Sequence, residues 1–335
     1  YRPSNWQLSS NVNYVSDSDY FADLGVDLTQ SSTSHQERSA EFNYWQDTWS
    51  ALVRVQGFQT IDKLLQDKDK PYARLPQVLV NNQFELPYNI KANTVAELTH
   101  FQRTIDDLSD IEINGIRWRF EPEISYDYRQ PWGGVKPSLG VRQLAYRLDD
   151  QKETSINAAT FNLDSHLVFE RETKNYMQTI EPRILYRFSP YYQQNNLPNF
   201  DTASTTFSYA QLFRARRFSG GDRLEDANQL SLGFTTRWLH PDTSQEIIRA
   251  SLGEIFYFRD RKVQLNSADP IVSTSTSGVA SEVSAQLAPD WSSSIDALWT
   301  ESGDVSQLGI QAHYLPNTNT QLFNVGYSFR REVLA

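Results

Sequence analysis

The chain has 335 residues, a formal net charge of −10 and a mean hydropathy of −0.57. The acidic balance argues against non-specific binding to nucleic acid, whose phosphates attract basic proteins. No apolar run approaches the ~18 residues that a membrane-spanning helix requires. The absence of Cys excludes a Cys-ligated metal site and an internal disulfide. Because the chain opens on Tyr1 without a signal segment, we expect a processed or shortened chain.

Alternation with a period of two is the dominant pattern, and it predicts strands because successive side chains of a strand point to opposite faces. It is longest in residues 116–129. One face there is apolar, with Ile116, Trp118, Phe120, Pro122, Ile124, Tyr126 and Tyr128. The other is almost entirely charged, with Arg117, Arg119, Glu121, Glu123, Ser125, Asp127 and Arg129. A soluble sheet rarely carries so dense a charged face.

The same alternation recurs along the chain, in residues 161–170, 229–238, 307–314 and 323–330. We predict about 15 strands, most of them about 10–14 residues long. Soluble strands have about 5–6 residues, whereas a tilted membrane strand needs about 9–11. The strand length therefore favours a membrane β-barrel, which escapes hydropathy analysis because only every second residue faces lipid.

The predicted connections alternate between short and long. The short ones are near residues 46–48, 82–86, 131–134, 173–175, 240–243, 289–290 and 315–318. The long ones are near residues 16–36, 62–71, 104–114, 149–155, 190–226 and 259–276, with 302–304 as a short exception. Outer-membrane barrels have short periplasmic turns and longer external loops. The sequence therefore predicts an all-β, transmembrane antiparallel barrel.

Tryptophans cluster at the predicted strand ends. Trp45 and Trp49 flank one short turn, Trp132 lies in another, and Trp291 and Trp299 bracket one strand. Such residues favour the membrane–water interface because their rings are partly apolar and partly polar. Ordinary packing within a sheet is the alternative for any one of them.

Catalytic and metal-binding patterns are weak. The five His residues are scattered, and none lies at metal-ligand spacing from another. Asp17 with Asp19, or Asp106 with Asp107, has the chemistry to bind a divalent cation, but solvated loop acids are the simpler reading. We therefore expect no enzyme activity, no metal site and no cofactor.

A basic run, residues 213–218, interrupts this acidic chain with Arg214, Arg216 and Arg217 between two Phe residues. Arginine pairs well with phosphate and carboxylate. The run suits contact with an anionic glycolipid, and it equally suits attachment of the loop to acidic residues of the lumen.

Several runs resemble one known family. Residues 212–230, from Leu-Phe-Arg-Ala-Arg-Arg-Phe to Ala-Asn-Gln-Leu, followed by 233–237, are similar to the LPS-assembly protein LptD family, also called organic solvent tolerance proteins. Residues 169–171 with 179–183, residues 15–21 and residues 253–258 fit the same family, in the same order.

The resemblance implies a very large barrel that exports lipopolysaccharide (LPS). In that family a plug lipoprotein, LptE, fills the lumen, and a periplasmic jellyroll receives LPS from periplasmic bridge proteins. The lipid leaves through a gate between the first and last strands, while the polysaccharide passes through the lumen. Residues 1–335 would then be a single segment from the middle of the barrel, without the jellyroll or the closing strands.

Such a segment has two open edges, and unpaired backbone groups in lipid cost several kcal/mol each. We expect these edges to pair with further strands or with another barrel, such as the outer-membrane barrel-assembly machine. Two other readings are a passive porin or substrate-specific channel, and a soluble β-sandwich.

The candidate functional residues form two groups. The first consists of expected lumen-lining residues, namely Arg117, Arg119, Glu121, Glu123, Asp127 and Arg129. Their mixed charges suit a hydrated sugar passage or a plug protein, or they only solvate the lumen. The second group belongs to the family-motif loop: Phe213, Arg214, Asp222, Arg223 and Asn228. We expect the polar members of this loop to tie it to the lumen.

Overall fold

The computed structural model describes residues 5–17, 20, 34–105, 112–149, 153–316 and 321–331. Its strands are β1 (Trp6–Val12), β2 (His35–Trp45), β3 (Trp49–Thr60), β4 (Ala73–Leu86), β5 (Ile90–Gln102), β6 (Gly115–Tyr126), β7 (Tyr128–Gln130), β8 (Gly133–Leu148), β9 (Thr154–Leu167), β10 (Phe169–Glu172), β11 (Met177–Ser189), β12 (Ala227–Leu239), β13 (Glu246–Tyr257), β14 (Val279–Ala288), β15 (Trp291–Trp299), β16 (Val305–Tyr314) and β17 (Phe323–Arg330). Two short 3-10 helices, Asp67–Asp69 and Tyr209–Phe213, lie in connections. Among the described residues, no helix is long and apolar enough to cross a membrane.

The 17 strands form one antiparallel sheet in which consecutive strands are neighbours. Two of the strands are short continuations of their predecessors. Only Asp127 separates β6 from β7, and both pair with β8; only Val168 separates β9 from β10, and both pair with β11. The wall therefore has 15 strand positions, which confirms the predicted number.

The sheet is open. Each strand from β1 to β17 pairs with the next along the wall, and within the described part of the chain no register joins β17 to β1. Every residue of β17 is exposed, as expected for an edge strand. This arrangement agrees with an incomplete barrel.

The two faces of the sheet are inverted relative to a soluble protein. On β6 and its neighbours the large apolar side chains are exposed: Ile124 is 48% exposed and Leu139 is 60% exposed. The polar residues between them are buried, and Arg117 is only 1% exposed. An antiparallel sheet in water would instead bury its apolar face. We call the apolar face the outer face and the polar face the inner face.

The rhythm of the connections is confirmed except at residues 149–153, where the predicted long connection between β8 and β9 has only five residues. Long connections, residues 13–34, 61–72, 103–114, 190–226 and 258–278, leave one end of the wall. Short ones, residues 46–48, 87–89, 131–132, 173–176, 240–245 and 289–290, leave the other. The β16–β17 connection covers residues 315–322, so the predicted short turn at 315–318 is longer than expected.

Aromatic pairs lie at the end of the wall with short turns. The ring centres of Tyr44 and Trp49 are 5.1 Å apart, and those of Trp291 and Tyr314 are 4.9 Å apart. Both pairs join neighbouring strands at a turn. Their position matches the aromatic girdle that marks a membrane interface.

Candidate functional site in the barrel lumen

The inner face is covered in part by the connection between β11 and β12, which we call the lumen loop (residues 190–226). Several of its apolar side chains are buried against the wall, whereas Tyr191 and Tyr192 are exposed. The Phe200 ring stacks on that of Phe101 with centres 4.5 Å apart, and it meets the Tyr72 ring edge-on at 4.9 Å. Leu144 and Tyr146 of β8 complete this cluster. A loop of this length, beyond about 12–15 residues, commonly carries function.

Two glycines on neighbouring strands make room for a second contact between the lumen loop and the wall. Gly233 of β12 and Gly253 of β13 lie directly opposite each other in the ladder. A Cβ atom on Gly233 would lie 2.4 Å from Phe213 Cζ, and one on Gly253 would lie 2.6 Å from Leu212 Cδ1. Glycine in a strand often marks such a close approach. The missing side chains therefore create the hollow that holds Phe213 and Leu212.

A buried charge network joins the wall to the loop. Arg117 donates hydrogen bonds to Glu97 Oε1 of β5 at 2.7 Å and to both oxygens of Asp201, at 2.6 and 2.9 Å. It also donates to Asp222 Oδ1 at 2.8 Å. Arg119 donates to the other Glu97 oxygen at 2.5 Å. Three carboxylates thus surround one buried guanidinium, whose planar fork suits several acceptors at once.

Asp222 is fully buried and organises the loop around itself. It accepts hydrogen bonds from Tyr146 Oη at 2.8 Å and from the backbone amides of Phe200 and Asp201, both at 2.8 Å. The Thr202 hydroxyl donates to the same carboxylate at 3.2 Å. Buried carboxylates need this degree of compensation, because leaving one unpaired is costly.

The ionic contacts also set the charge state of Asp201. Burial alone would raise the pKa of its carboxyl, but hydrogen bonds and charge from Arg117, together with the charge of Arg74, outweigh burial. The pKa of Asp201 is therefore held well below its usual range. Asp201 remains ionised and keeps the loop attached at neutral pH.

A second attachment lies at the end of the lumen loop. Glu225 accepts hydrogen bonds from Arg142 of β8 at 2.8 Å and from Arg187 of β11 at 3.2 Å. Both arginines also donate to the backbone oxygen of Ala215. Burial would raise the pKa of Glu225, but the charges of Arg142 and Arg187 lower it overall. The loop is thus bound to strands on both sides of it.

An open cavity of about 460 Å³ lies beside the lumen loop on the inner face. Its lining carries charges of both signs, from Asp127, Arg129, Lys136, Asp164, Glu181, Arg183 and Arg237, and it includes His166. Tyr209 of the lumen loop forms part of its boundary. We call this space the mixed-charge cavity. It offers hydrogen-bond donors and acceptors of both signs to a hydrated ligand.

The six expected lumen residues all lie on the inner face, but they do not share one environment. Arg117 is buried under the lumen loop, and Arg119 and Glu121 carry ion pairs, the latter with Arg216 of the loop. Glu123 accepts a hydrogen bond from Ser138 at 3.4 Å. Only Asp127 and Arg129 line the mixed-charge cavity.

The family-motif loop behaves differently from the expectation at three positions. Asn228 belongs to β12 and lies on the outer face, because its neighbour Gln229 lies on the inner face. Its Oδ1 accepts a hydrogen bond from Tyr186 there. Arg223 donates to the backbone oxygens of Gln264 and Leu265, so it ties two loops together. Arg214 is exposed and has no ion pair within the described part of the chain.

Sequence reasoning missed Glu97, Arg142, Arg187 and Asp201. The first three sit on strands whose parity places them inward, so the alternation could have found them. Asp201 carries no such signal, since it lies in an irregular segment. No group of three acids or histidines in the described ranges is arranged to hold a metal ion. Asp19, Asp106 and Asp107 lie outside the described residues.

Comparison with known proteins decides the family. The profile of the family described as LPS transport system D, LptD, matches residues 1–335. The chain belongs to the LptD family. It is 36% identical to the LPS-assembly protein LptD of Acinetobacter baumannii, over 98% of this chain and 41% of the relative. It is also 36% identical to the protein of the same name from Nitrosococcus oceani, over 98% of this chain and 45% of the relative.

The chain spans less than half the length of these LptD relatives. Family membership and the inverted wall together identify it as outer-membrane β-barrel sequence from a Gram-negative bacterium. The described strands supply the wall, and the lumen loop supplies much of the interior.

Proposed function

We propose that this LptD-family chain is the barrel wall of a translocon that inserts LPS into the outer leaflet of the outer membrane. The observation that carries the proposal is the wall itself, with 15 strand positions, a sheet that is still open and a polar inner face. Porins have about 16–18 strands, so a wall that is still open at 15 strand positions belongs to a barrel of at least comparable size. The name of the relatives, LPS-assembly protein, indicates the cargo.

The inner face suits the polysaccharide part of such a cargo. The mixed-charge cavity presents guanidinium, ammonium and carboxylate groups within one space. Sugar hydroxyls both donate and accept hydrogen bonds, so they gain from both kinds of partner. We place the hydrated part of LPS next to this cavity and its lipid part outside the wall.

A plug lipoprotein of the LptE type is a second component of the proposal. The lumen loop covers β4–β6, β8 and β11–β14, and the cluster around its Leu212 reaches Leu298 of β15. Among the described residues, no hydrogen bond, ion pair or hydrophobic cluster joins the loop to β1–β3, β16 or β17. That uncovered inner face is where we place the plug. LPS-bridge proteins would act through a jellyroll elsewhere in the whole protein.

The open edges, β1 and β17, are the proposed places for further strands of the barrel. Their backbone N–H and C=O groups need partners in lipid. During assembly, the barrel-assembly machine is the proposed temporary partner for one of them. The gate for the lipid belongs to the seam between the first and last strands of the complete barrel.

A passive porin has less support. The lumen loop is bound to the wall by buried ion pairs on two sides, so the interior is partly closed. An open porin needs a continuous aqueous channel. Conductance of the complete protein in planar bilayers separates the two functions, since a steady ion-selective current without other components favours the porin.

The proposal is tested in a strain depleted of the complete protein. We expect newly made LPS to stop arriving at the cell surface, and wild-type protein to restore its arrival. Charge reversal in the mixed-charge cavity, Arg183→Glu with Arg237→Glu, should slow restoration while the barrel level stays normal. Lys174→Glu in an exposed turn is the matched control. Undiminished LPS arrival during depletion would refute the function.

A further inference from the structure

A second, smaller cavity is lined by residues of the lumen loop and is strongly basic. Its volume is about 200 Å³. Five arginines line it: Arg187 of β11, Arg214, Arg216 and Arg217 of the lumen loop, and Arg261 of the 258–278 connection. Only two carboxylates, Glu225 and Asp226, share the lining. We call this space the arginine pocket.

The two carboxylates do not neutralise these arginines. Glu225 is shared between Arg187 and Arg142, which lies outside the pocket. The carboxylate of Asp226 binds backbone groups instead: it accepts hydrogen bonds from the amides of Lys262 at 3.0 Å and Val263 at 3.2 Å. The acidic residues that line the pocket therefore leave positive charge uncompensated.

The ion pairs of the arginines show the same excess of positive over negative charge. Arg216 has an ion pair with Glu121, but Arg214, Arg217 and Arg261 have none among the described residues. Arg217 and Arg261 donate instead to neutral oxygens, of Val263 and Thr274 respectively. This surplus stands out in a chain whose net charge is −10.

Part of the pocket's positive charge is also buried. Arg187 is 6% exposed and Arg261 is 5% exposed. The Nε atoms of Arg187 and Arg217 are buried and have no hydrogen-bond partner in the part of the chain that the structure describes. Burial lowers the pKa of the Arg217 and Arg261 guanidiniums. Asp226 and Glu225 only partly offset this for Arg217, and Tyr257, Asp226, Asp260 and Glu301 only partly offset it for Arg261. Buried cations without counter-charges are costly, so an anion in the pocket would stabilise it.

The chemistry of the lining selects the kind of anion. Guanidinium groups bind phosphate oxygens through two parallel hydrogen bonds, which gives both strength and direction. Thr205, Gln211 and Gln229 add neutral polar groups to the lining. Since each water occupies about 30 Å³, the pocket has room for a phosphate group and some water.

We propose that the arginine pocket binds a phosphate group, carried by a phosphorylated sugar or present as free phosphate. Arg187 and Arg261 are its most buried arginines, Arg217 supplies an Nε–H without a partner among the described residues, and Arg214 is exposed to solvent. The choice of a phosphorylated glycolipid as the natural ligand rests on the proposed function, whereas phosphate binding does not.

The test uses the complete protein in detergent and phosphate-free buffer, with binding followed by titration calorimetry. The probes are inorganic phosphate, glucosamine 6-phosphate, unphosphorylated glucosamine and chloride. We expect one or both phosphate probes to bind, and Arg217→Gln and Arg261→Gln each to weaken binding at least tenfold. Arg147→Gln, at an exposed position on β8, is the matched control and should change affinity less than twofold.

Tighter binding of glucosamine 6-phosphate identifies a phosphorylated sugar, and equal binding identifies free phosphate; either supports the site. Failure of both phosphate probes, equal binding of chloride, or unchanged affinity in both pocket variants would overturn it. Circular dichroism and heat-dependent gel mobility check that the variants are folded. If the pocket variants lose phosphate binding and LPS still arrives normally at the cell surface, the pocket has no role in LPS transport, while the translocon function stands.

Discussion

Arg117 and Asp222 are 105 positions apart in the sequence, and their side chains meet at 2.8 Å inside the barrel. One belongs to the wall and the other to the lumen loop, and both are buried. The contact therefore fixes the position of a long external connection within the lumen.

We expect Asp222→Asn to loosen the lumen loop. The variant keeps the shape but leaves Arg117 short of one charged partner, and breaking a buried pair costs about 3–5 kcal/mol. The predicted results are a lower urea midpoint for the complete protein and faster proteolysis within residues 190–226. Glu153→Gln, in an exposed pair with Arg147, should leave both measurements unchanged. Wild-type protease resistance in Asp222→Asn would contradict the anchoring role.

Gly233→Ala should displace Phe213 from its hollow. The new Cβ atom would lie 2.4 Å from Phe213 Cζ, and overpacking of this kind typically costs about 1–3 kcal/mol. Urea unfolding measures the change. Gly57→Ala is the matched control, because no atom lies within 4 Å of the added Cβ there. Combining Gly233→Ala with Phe213→Ala should recover part of the loss, and strict additivity would argue against direct contact.

Attachment of the lumen loop should depend on pH in the acid range. Asp201 and Glu225 have pKa values lowered from 3.8 and 4.5 by their arginine partners, although burial opposes this. Groups with lowered pKa values contribute stability that is present above the unfolded-state values and is lost as the pH falls through the folded-state values. We expect the loop to stay docked at neutral pH. Its attachment should weaken progressively as the pH falls below the unfolded-state values of 4.5 and 3.8, and it should be lost only as the pH passes through the lower folded-state values. Pepsin cleavage within residues 190–226 reports release, and a constant cleavage rate across this range would contradict the prediction.

A charged residue on the outer face should destabilise the barrel in the membrane. Leu139 lies near the middle of β8 and is exposed on that face, so Leu139→Arg should destabilise the inserted barrel by about 2–4 kcal/mol. The measurement is the amount of folded protein in the outer membrane. Leu64→Arg, at an exposed position in the 61–72 connection, is the control and should have little effect. Equal levels of the two variants would mean that Leu139 does not face lipid.

Much of the wall could be predicted from the residues alone. The alternation from Ile116 to Arg129 assigns β6, β7 and both of their faces, because side-chain direction in a strand depends only on position parity. The rhythm of the connections predicts which ends of the strands lie together. The number of strand positions follows from the same two signals.

The partners of the inward side chains depended on the tertiary structure. Parity points Arg117 into the lumen, but it cannot reveal that Asp201 and Asp222 come to meet it from a loop without periodicity. Parity also places Asn228 on the outer face, although the motif had predicted that it would contact the lumen. Strand direction is a local property of the backbone. Which charges neutralise each other, and which arginines are left without partners, is decided only when distant segments share one interior.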